Sequence, residues 1–226
     1  VKKLSPTGML LSSSILGGVG LYCLSFANNG PTIFIADTVF AIGVCYFWPT
    51  MLGVVAERVP KGGEFALALM GAAGNVAAGF ITIPLMGTVA DYYGHEKFEM
   101  TATTAVVRQA SEFLPSLKKP GIDADLSAAI DETLLLSQQV LTAAETAKTL
   151  PPNVTANALR GVIKCSPADA PVAAEAKKLL NPAELHGGRM SFRIVAGLAV
   201  ILVLVFGTLY ASDRMKGGYK AEHIAA

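Results

Sequence analysis

Charge is scarce in this chain, and long stretches carry almost none. Only 15% of the 226 residues are Asp, Glu, Lys or Arg, whereas about a quarter of the residues of a soluble domain are charged. Between Gly8 and Ala56 the only formal charge is Asp37, and residues 65–90 and 194–211 carry none. With a mean hydropathy of +0.49, the chain does not have the composition of an ordinary soluble domain.

Cysteine and histidine are also too few and too dispersed to form a disulfide framework or a metal centre. The three cysteines are Cys23, Cys45 and Cys165, and only the last lies outside the apolar stretches. The three histidines are His95, His186 and His223. A net charge of +1 without a basic stripe gives no indication of a nucleic-acid partner. We therefore expect no cofactor, no metal site and no disulfide, and we expect the thiols to serve as small apolar side chains.

What the chain does contain is long apolar segments. A membrane-spanning helix needs about 20 mostly apolar residues, and four segments reach that length. They are too many, and too far from the N-terminus, for a signal peptide. The predicted fold class is an all-α membrane protein with four transmembrane helices and a helical extramembrane insert. Within a first region, 1–90, the predicted spans are 8–27, 31–56 and 65–90, followed by an insert at 91–190, a last span at 191–212 and a tail at 213–226.

The polar insert has the composition of a helical unit. Residues 122–150 are rich in Ala, Leu, Glu and Gln, which favour helices, and their apolar residues recur at spacings typical of an amphipathic helix. Asp123 or Asp125 is the predicted N-cap. Shorter helices are predicted at 99–114, 153–164 and 169–180, separated by Pro120-Gly121 and Ser166-Pro167. We interpret the insert as a small packed cap, with ligand binding as the alternative.

Basic residues predict which ends of the spans face the cytoplasm, because Lys and Arg collect in short cytoplasmic loops. Such residues flank one end of the first, second and last spans: Lys2, Lys3, Arg58, Lys61, Arg214, Lys216 and Lys220. The opposite turn, residues 27–30, carries no charge. We therefore predict a cytoplasmic C-terminus and an insert outside the membrane, although Arg189 and Arg193, beside the last span, do not fit this rule.

The second predicted span carries polar and aromatic groups of the kind a binding site would use. Asp37 is either a proton- or cation-binding carboxylate that faces a cavity or an aspartate solvated by headgroups. Pro49 is expected to kink the helix. Beside it, Tyr46, Trp48 and Thr50 offer stacking and hydrogen-bonding groups. This stretch is either a binding or hinge element or a structural kink with an interfacial tryptophan.

Small residues dominate the third predicted span. Gly71, Asn75 and Gly79 recur at four-residue spacing, with Gly74 beside them. Small residues allow membrane helices to approach closely, so the glycines predict helix packing. The Asn75 amide is expected either to hydrogen-bond across a helix contact or to contact a solute, and Pro84 predicts a second kink. The last span has no polar group in its middle and is expected to face lipid.

Four segments, in this order, resemble the end of a major facilitator superfamily (MFS) transporter. They are VKKLSPTGMLL, VCYFWPTMLGVVAERVPKGG, ALMGAAGNVAAG with PLMGTVADYYG, and the tail KGGYKAEHI. In a bacterial branch of that superfamily such segments form helices nine to twelve. The resemblance implies a bundle of twelve helices in two halves that rock about a central site, with helices ten and eleven lining or bordering the cavity. It also implies that helices one to eight precede this chain in the same protein.

The leading functional hypothesis is a secondary active transporter that moves a small polar solute across the bacterial cytoplasmic (inner) membrane by alternating access. Its expected partners are the solute, a coupling proton or sodium ion, the lipid bilayer and the preceding helices of the same protein. The alternative is a stand-alone four-helix membrane protein whose external helical insert binds a partner. An enzyme is not expected, since the spans show no nucleophile–base pair and no metal-ligand spacing.

Overall fold

The computed structural model describes residues 4–118 and 121–221, and the secondary structure within these ranges is helical. The parts of the sequence predictions that concern Lys2, Lys3, Pro120 and His223 lie outside the described residues.

Helices follow one another along the described chain with short connections. In chain order they are α1 Pro6–Leu24, α2 Gly30–Cys45, α3 Phe47–Arg58, α4 Gly63–Val76, α5 Ile83–His95, α6 Met100–Phe113, α7 Ala124–Thr146, α8 Pro152–Cys165 and α9 Pro171–Met215. They belong to two compact units. The apolar unit contains the described residues up to Met86 and from Arg189 onward, and the insert unit is Gly87–Gly188.

Within the described residues, four helical stretches are long and apolar enough to cross a membrane. They are span one, Pro6–Leu24; span two, Gly30–Arg58; span three, Pro60–His95; and span four, Pro171–Met215. This result confirms the predicted all-α class and the presence of four candidate transmembrane segments. In its most apolar window, span one is 39% buried within this chain, whereas span two is 6% buried and span three 0%. Spans two and three therefore leave most of their surface uncovered by the rest of the chain.

Spans one and two form a closely packed antiparallel pair, as the short turn between them predicts. Gly20 lies against Phe40, and a Cβ added at Gly20 would lie 2.5 Å from the Phe40 backbone nitrogen. One turn away, Gly43 lies against the backbone of Gly17. The later residue of α1, Gly20, thus contacts the earlier residue of α2, Phe40, and the earlier Gly17 contacts the later Gly43. The two helices therefore run in opposite directions. Glycine is required at these contacts since any side chain would push the backbones apart.

Span four also runs antiparallel to span one. A Cβ on Gly8 would lie 3.1 Å from the Tyr210 ring, and a Cβ on Gly18 would lie 2.9 Å from the Cβ of Ala199. The start of span one is thus close to the end of span four. These contacts make span one the centre of the packed part of the apolar unit.

Tight turns at both ends of span two reverse the chain. At its start, Asn29 accepts a hydrogen bond from the Thr32 N–H at 3.0 Å, and the Thr32 hydroxyl accepts one from the Asn29 N–H at 3.2 Å. This reciprocal cap satisfies N–H groups that the first turn of a helix leaves open. At its end, a single 3-10 turn, Pro60–Gly62, leads to Gly63 with φ +48°. A positive φ favours glycine, so Gly63 allows the chain to enter α4 directly.

The insert unit has a hydrophobic core of its own. Its helices bury apolar side chains, among them Val107, Leu114, Ile130, Val140, Leu159 and Val162, each with no exposed surface. Helix α8 approaches α7 closely at Gly161, which lies against the Thr133 side chain. Cys165 is buried beside it, with its sulfur 3.7 Å from the Thr133 hydroxyl. At the start of α7 the Asp123 carboxylate accepts a hydrogen bond from the Asp125 N–H at 3.2 Å, so Asp123 is the N-cap.

Span four begins within a longer helix than the sequence predicts. Residues 169–180 were expected to form a separate short helix, but α9 continues from Pro171 to Met215 with Pro182 inside it. Pro182 removes only one backbone hydrogen bond, and the surrounding Ala, Leu, Glu and Lys residues favour a helix. Gly187 does not end α9 because it lies directly against the Ala90 backbone, where no side chain fits.

Candidate functional site

Span two is interrupted at Tyr46, where α2 ends and α3 begins. Pro49 accounts for the position of this break, because proline has no N–H to donate to the carbonyl four residues earlier, at Cys45. The helix resumes at once, since the Thr50 N–H donates to the Tyr46 carbonyl at 3.2 Å. We call residues 46–50 the span-two break. It separates span two into two helical segments at the position of its aromatic side chains.

Trp48, within the span-two break, lies against span three. A Cβ on Gly74 would lie 3.4 Å from the indole ring, so the glycine provides the space that the ring uses. Trp48 is 45% exposed, which leaves part of the indole available to a ligand. The adjacent Phe47 meets Phe206 of span four edge to face, with 5.5 Å between the ring centroids. Consecutive aromatic residues thus connect span two to two different neighbours.

Asp37 and Asn75 lie on exposed parts of their helices. Asp37 precedes Tyr46 by nine residues, which places it roughly 14 Å from the span-two break along the helix axis. The Asn75 amide donates to the Gly71 carbonyl of its own helix at 3.1 Å. Asn75 directly follows Gly74, the residue of span three that contacts the Trp48 ring.

The predicted packing glycines of span three have different surroundings. Gly74 contacts the Trp48 ring, whereas a Cβ on Gly71 or on Gly79 would meet no other atom within 4 Å. The described residues therefore leave the face of Gly71 and Gly79 open. Phe80, on the same span, is 79% exposed. This apolar, glycine-containing surface is available to lipid or to further helices.

Span three widens just before Pro84. Residues Ala77–Thr82 form a π-helical turn, and the Ile83 N–H donates to the carbonyl of Ala78, five residues earlier. A widened turn accommodates a proline inside a membrane helix, where the ring would otherwise collide with the preceding turn. The physical effect of Pro84 is therefore a local π turn, a feature common at functional positions in helices.

A cluster of polar side chains joins the ends of spans one, two and four. Arg58 donates to a carboxylate oxygen of Asp213 at 2.5 Å, and the Thr7 hydroxyl donates to the same oxygen at 2.9 Å. The Arg58 guanidinium lies 4.9 Å from the centre of the Tyr219 ring, and the Tyr219 hydroxyl donates to Glu57 at 2.7 Å. We call these five residues the helix-end cluster. It holds α1, α3, α9 and the segment after α9 together.

Charge and burial in the helix-end cluster affect the Tyr219 phenol. Burial, together with the hydrogen bond to the Glu57 carboxylate, raises the pKa of Tyr219 to about 12. The phenol is therefore neutral at physiological pH and acts as a hydrogen-bond donor. Sequence reasoning identified Arg58 only as a basic flanking residue. The one signal for the cluster was Asp213, an isolated acid at the start of a basic tail.

At the opposite end of span one, two arginines of α9 contact the end of the helix. Arg189 donates to the Ala27 carbonyl at 2.8 Å, a group that lies beyond the end of α1. The guanidinium of Arg193 lies 4.4 Å from the centre of the Phe26 ring, in cation–π geometry. Arginine near a helix C-terminus satisfies exposed carbonyls. The pair that does not fit the charge rule therefore has a structural use.

The insert unit contains a small, mostly apolar cleft of about 170 Å³, and Arg160 and His95 are among the residues that line it. Arg160 donates to Glu184 at 2.8 Å and to Asp91 at 3.3 Å. Burial lowers the pKa of Arg160, but the hydrogen bond to Glu184 and the two carboxylate charges outweigh it and raise that pKa. Because two carboxylates already neutralise this guanidinium, the cleft offers little net positive charge to an anionic ligand. No group of acidic, His and Cys residues suited to a metal occurs among the described residues.

Comparison with known proteins finds no protein-family model, no curated protein and no solved structure that matches this chain. The MFS resemblance therefore rests on the sequence segments themselves. The class of protein that the fold defines is an all-α protein with four candidate membrane spans.

Proposed function

We propose that this chain is the C-terminal portion, helices nine to twelve, of an MFS-type secondary active transporter for a small polar solute. On this proposal spans one to four correspond to those helices, and the protein lies in the bacterial cytoplasmic membrane. The basic end of the spans faces the cytoplasm, together with the C-terminus, and the insert unit lies outside. Transport proceeds by alternating access and is coupled to a proton or a sodium ion.

The observation that supports the proposal is the unequal burial of the four spans within this chain. Spans two and three hold the break, the π turn and the polar side chains, and they are the least buried in this chain. A helix that exposes both apolar and polar groups needs partners in the membrane. Helices that line a central cavity between two halves of a transporter would show this combination.

The span-two break provides a place where a cavity-lining helix bends. Pro49 leaves the Cys45 carbonyl without its usual helical donor. Bending at this position therefore breaks fewer backbone hydrogen bonds than bending elsewhere in the helix. Trp48, seated on Gly74, presents the exposed part of its ring for stacking on a solute. Thr50, two residues after Trp48, and Asn75, the residue after Gly74, are the proposed hydrogen-bonding groups of the site. Solute specificity is assigned to these side chains.

Asp37 is the proposed coupling residue. It is exposed on the surface of span two, and a carboxylate within a membrane segment is costly unless it faces water, a cation or a proton donor. When the remaining helices cover span two, this carboxylate would face the cavity. Protonation or sodium binding there would remove its charge in one of the two access states.

The helix-end cluster is proposed to hold spans one, two and four together as one moving body. A set of charge-assisted hydrogen bonds is stronger than neutral ones, and Asp213 accepts two such contacts from different spans. Bending would then be confined to the span-two break, rather than spread over the bundle.

Fluorescence tests the solute site, with the signal of Trp48, the single tryptophan of these 226 residues, taken as the difference in emission between the unaltered intact protein and its Trp48→Phe variant. The intact protein, purified in detergent, is titrated with sugars, nucleosides and organic acids. The proposal predicts a saturable change in emission for one of these classes. Trp48→Phe should abolish that change while keeping an aromatic ring, and Phe206→Leu serves as a matched aromatic control. Absence of any saturable response across all three classes would count against a solute site at Trp48.

A further inference from the structure

A groove between spans one and four has the shape and polarity of a phospholipid site. It has a volume of about 530 Å³ and lies between one face of α1 and one face of α9. Its walls are almost wholly apolar, and the residues that line it include Ile15, Val19, Val200 and Val203. From Ser14 to Tyr22 the groove follows α1 for roughly 12 Å, given the helical rise. That length suits part of an acyl chain.

Polar donors available to a headgroup lie at one end of this groove, because the Ser14 hydroxyl at the other end donates to the Leu10 carbonyl of its own helix at 2.8 Å. Tyr22 lies near the end of α1 and Arg193 lies in the part of α9 that faces it, and both line the groove. Arg193 is exposed and, within residues 4–118 and 121–221, forms no ion pair with a carboxylate. Its contact with the Phe26 ring fixes the guanidinium but uses none of its N–H donors. Among the residues that the structure describes, no acidic side chain lines the groove.

We propose that this groove binds one anionic phospholipid, with an acyl chain along α1 and α9 and the phosphate at Arg193. An apolar groove with an unpaired cation and a phenol at one end is complementary to a molecule with an apolar tail and a negative headgroup. A guanidinium donates strong, charge-assisted hydrogen bonds to phosphate oxygens. Tyr22 adds a hydroxyl donor at the level where aromatic residues meet the membrane interface. The proposal does not depend on transport activity.

Small residues keep the groove open. Gly18 allows close contact with Ala199 at its floor, as a Cβ there would lie 2.9 Å from the alanine Cβ. Gly197 also lines the groove, but a Cβ on it would meet no atom of the described residues within 4 Å. A leucine at position 197 would therefore occupy the space of the lipid without disturbing the contact between the helices.

Native mass spectrometry of the delipidated intact protein tests the proposal. The protein is titrated with phosphatidylglycerol and with phosphatidylcholine of the same acyl chains. We expect one phosphatidylglycerol to be retained about fivefold more strongly than phosphatidylcholine, the effect of one arginine beside an anionic headgroup. Gly197→Leu should lose the bound lipid, whereas Gly53→Leu, also at a glycine with open space around it, should keep it.

Substitution of the cation separates headgroup recognition from simple chain burial. Arg193→Gln should bind both lipids equally, whereas Arg214→Gln, at the other end of α9, should keep the preference for phosphatidylglycerol. Thermal unfolding of each variant shows that the fold is intact. Equal retention of the two lipids by the unaltered protein would overturn the proposal. Retention of the lipid by Gly197→Leu would also overturn it. A dimer of the unaltered protein that Gly197→Leu dissociates would do the same, since a second copy would then occupy the groove.

Discussion

Among single residues, Arg58 illustrates how a charge at a membrane boundary is held. Its guanidinium has a carboxylate partner, Asp213, and an aromatic ring, Tyr219, on the other side. The partners are far apart in sequence, since Asp213 lies 155 positions after Arg58. Sequence patterns report local spacing, so the basic flank at Arg58 could be predicted but its partners could not. Trp48 differs from Arg58 in this respect. A proline directly after it, within an apolar segment, indicates an interrupted helix from the sequence alone.

The raised pKa of Tyr219 leads to a prediction about stability at high pH. Its ordinary pKa is near 10, and in the folded protein it is about 12. The neutral phenol therefore contributes stability that is fully present below pH 10 and is lost as the pH rises through about 12. We expect Tyr219→Phe to reduce the alkaline loss of thermal stability relative to the unaltered protein. Tyrosinate absorbance during the same pH titration measures the ionisation. A Tyr219 that titrates at its ordinary pKa would contradict this expectation.

At the scale of helices, proline and glycine set the course of spans two and three. The sequence predicted a kink at Pro49, and the chain breaks three residues earlier, at Tyr46, because the missing donor affects the preceding turn. The sequence also predicted a kink at Pro84, and the helix there forms a π turn. The length of α9 could not be predicted. In the sequence, Pro182 and Gly187 indicate the end of a helix. The structure shows that Gly187 instead allows close contact with the Ala90 backbone, within a helix that continues through both residues.

Pro49→Ala tests whether the span-two break moves during transport. Alanine restores the N–H that can donate to Cys45 and favours a continuous helix. We expect normal insertion and a maximum uptake rate reduced several-fold, with little change in apparent affinity. Concentration-dependent uptake, corrected for the amount of protein in the membrane, distinguishes the two quantities. An unchanged rate would make the break a purely structural kink.

Gly20→Ala tests the close packing of spans one and two. The new Cβ would lie 2.5 Å from the Phe40 backbone, so the helices must separate, at a cost of about 1–3 kcal/mol. Gly71→Ala is the matched control, since a Cβ at Gly71 would meet no atom of residues 4–118 and 121–221 within 4 Å. Thermal unfolding in detergent should show a lower midpoint for Gly20→Ala alone. Equal loss in both variants of the intact protein would instead show that another helix packs against Gly71.

At the scale of the whole molecule, the chain combines an apolar unit with an insert unit that has its own core. Hydropathy alone was sufficient to predict four candidate spans, because a membrane helix needs a long apolar run. The helical insert was also predictable, from its amphipathic spacing. The lipid groove was not, since Tyr22 and Arg193 come together only when α1 and α9 pack.

We predict that the insert unit is not part of the transport machinery. Its buried residues form a core within Gly87–Gly188, and the proposed solute site lies in spans two and three. Replacing residues 100–180 of the intact protein with a flexible linker should leave most of the uptake. A linker of the same length but helical sequence is the control for the geometry of the connection. Loss of uptake in both variants, with normal insertion, would favour the alternative in which the insert binds a partner.

The most direct test of transport is accumulation of a solute in sealed vesicles that contain the intact protein. Labelled sugars, nucleosides and organic acids are supplied outside, with an imposed proton or sodium gradient. We predict that one class accumulates above its external concentration and that collapse of the gradient abolishes this accumulation. Trp48→Ala should weaken the apparent affinity for the same solute. No accumulation above empty vesicles for any class, with the protein folded and inserted, would contradict it.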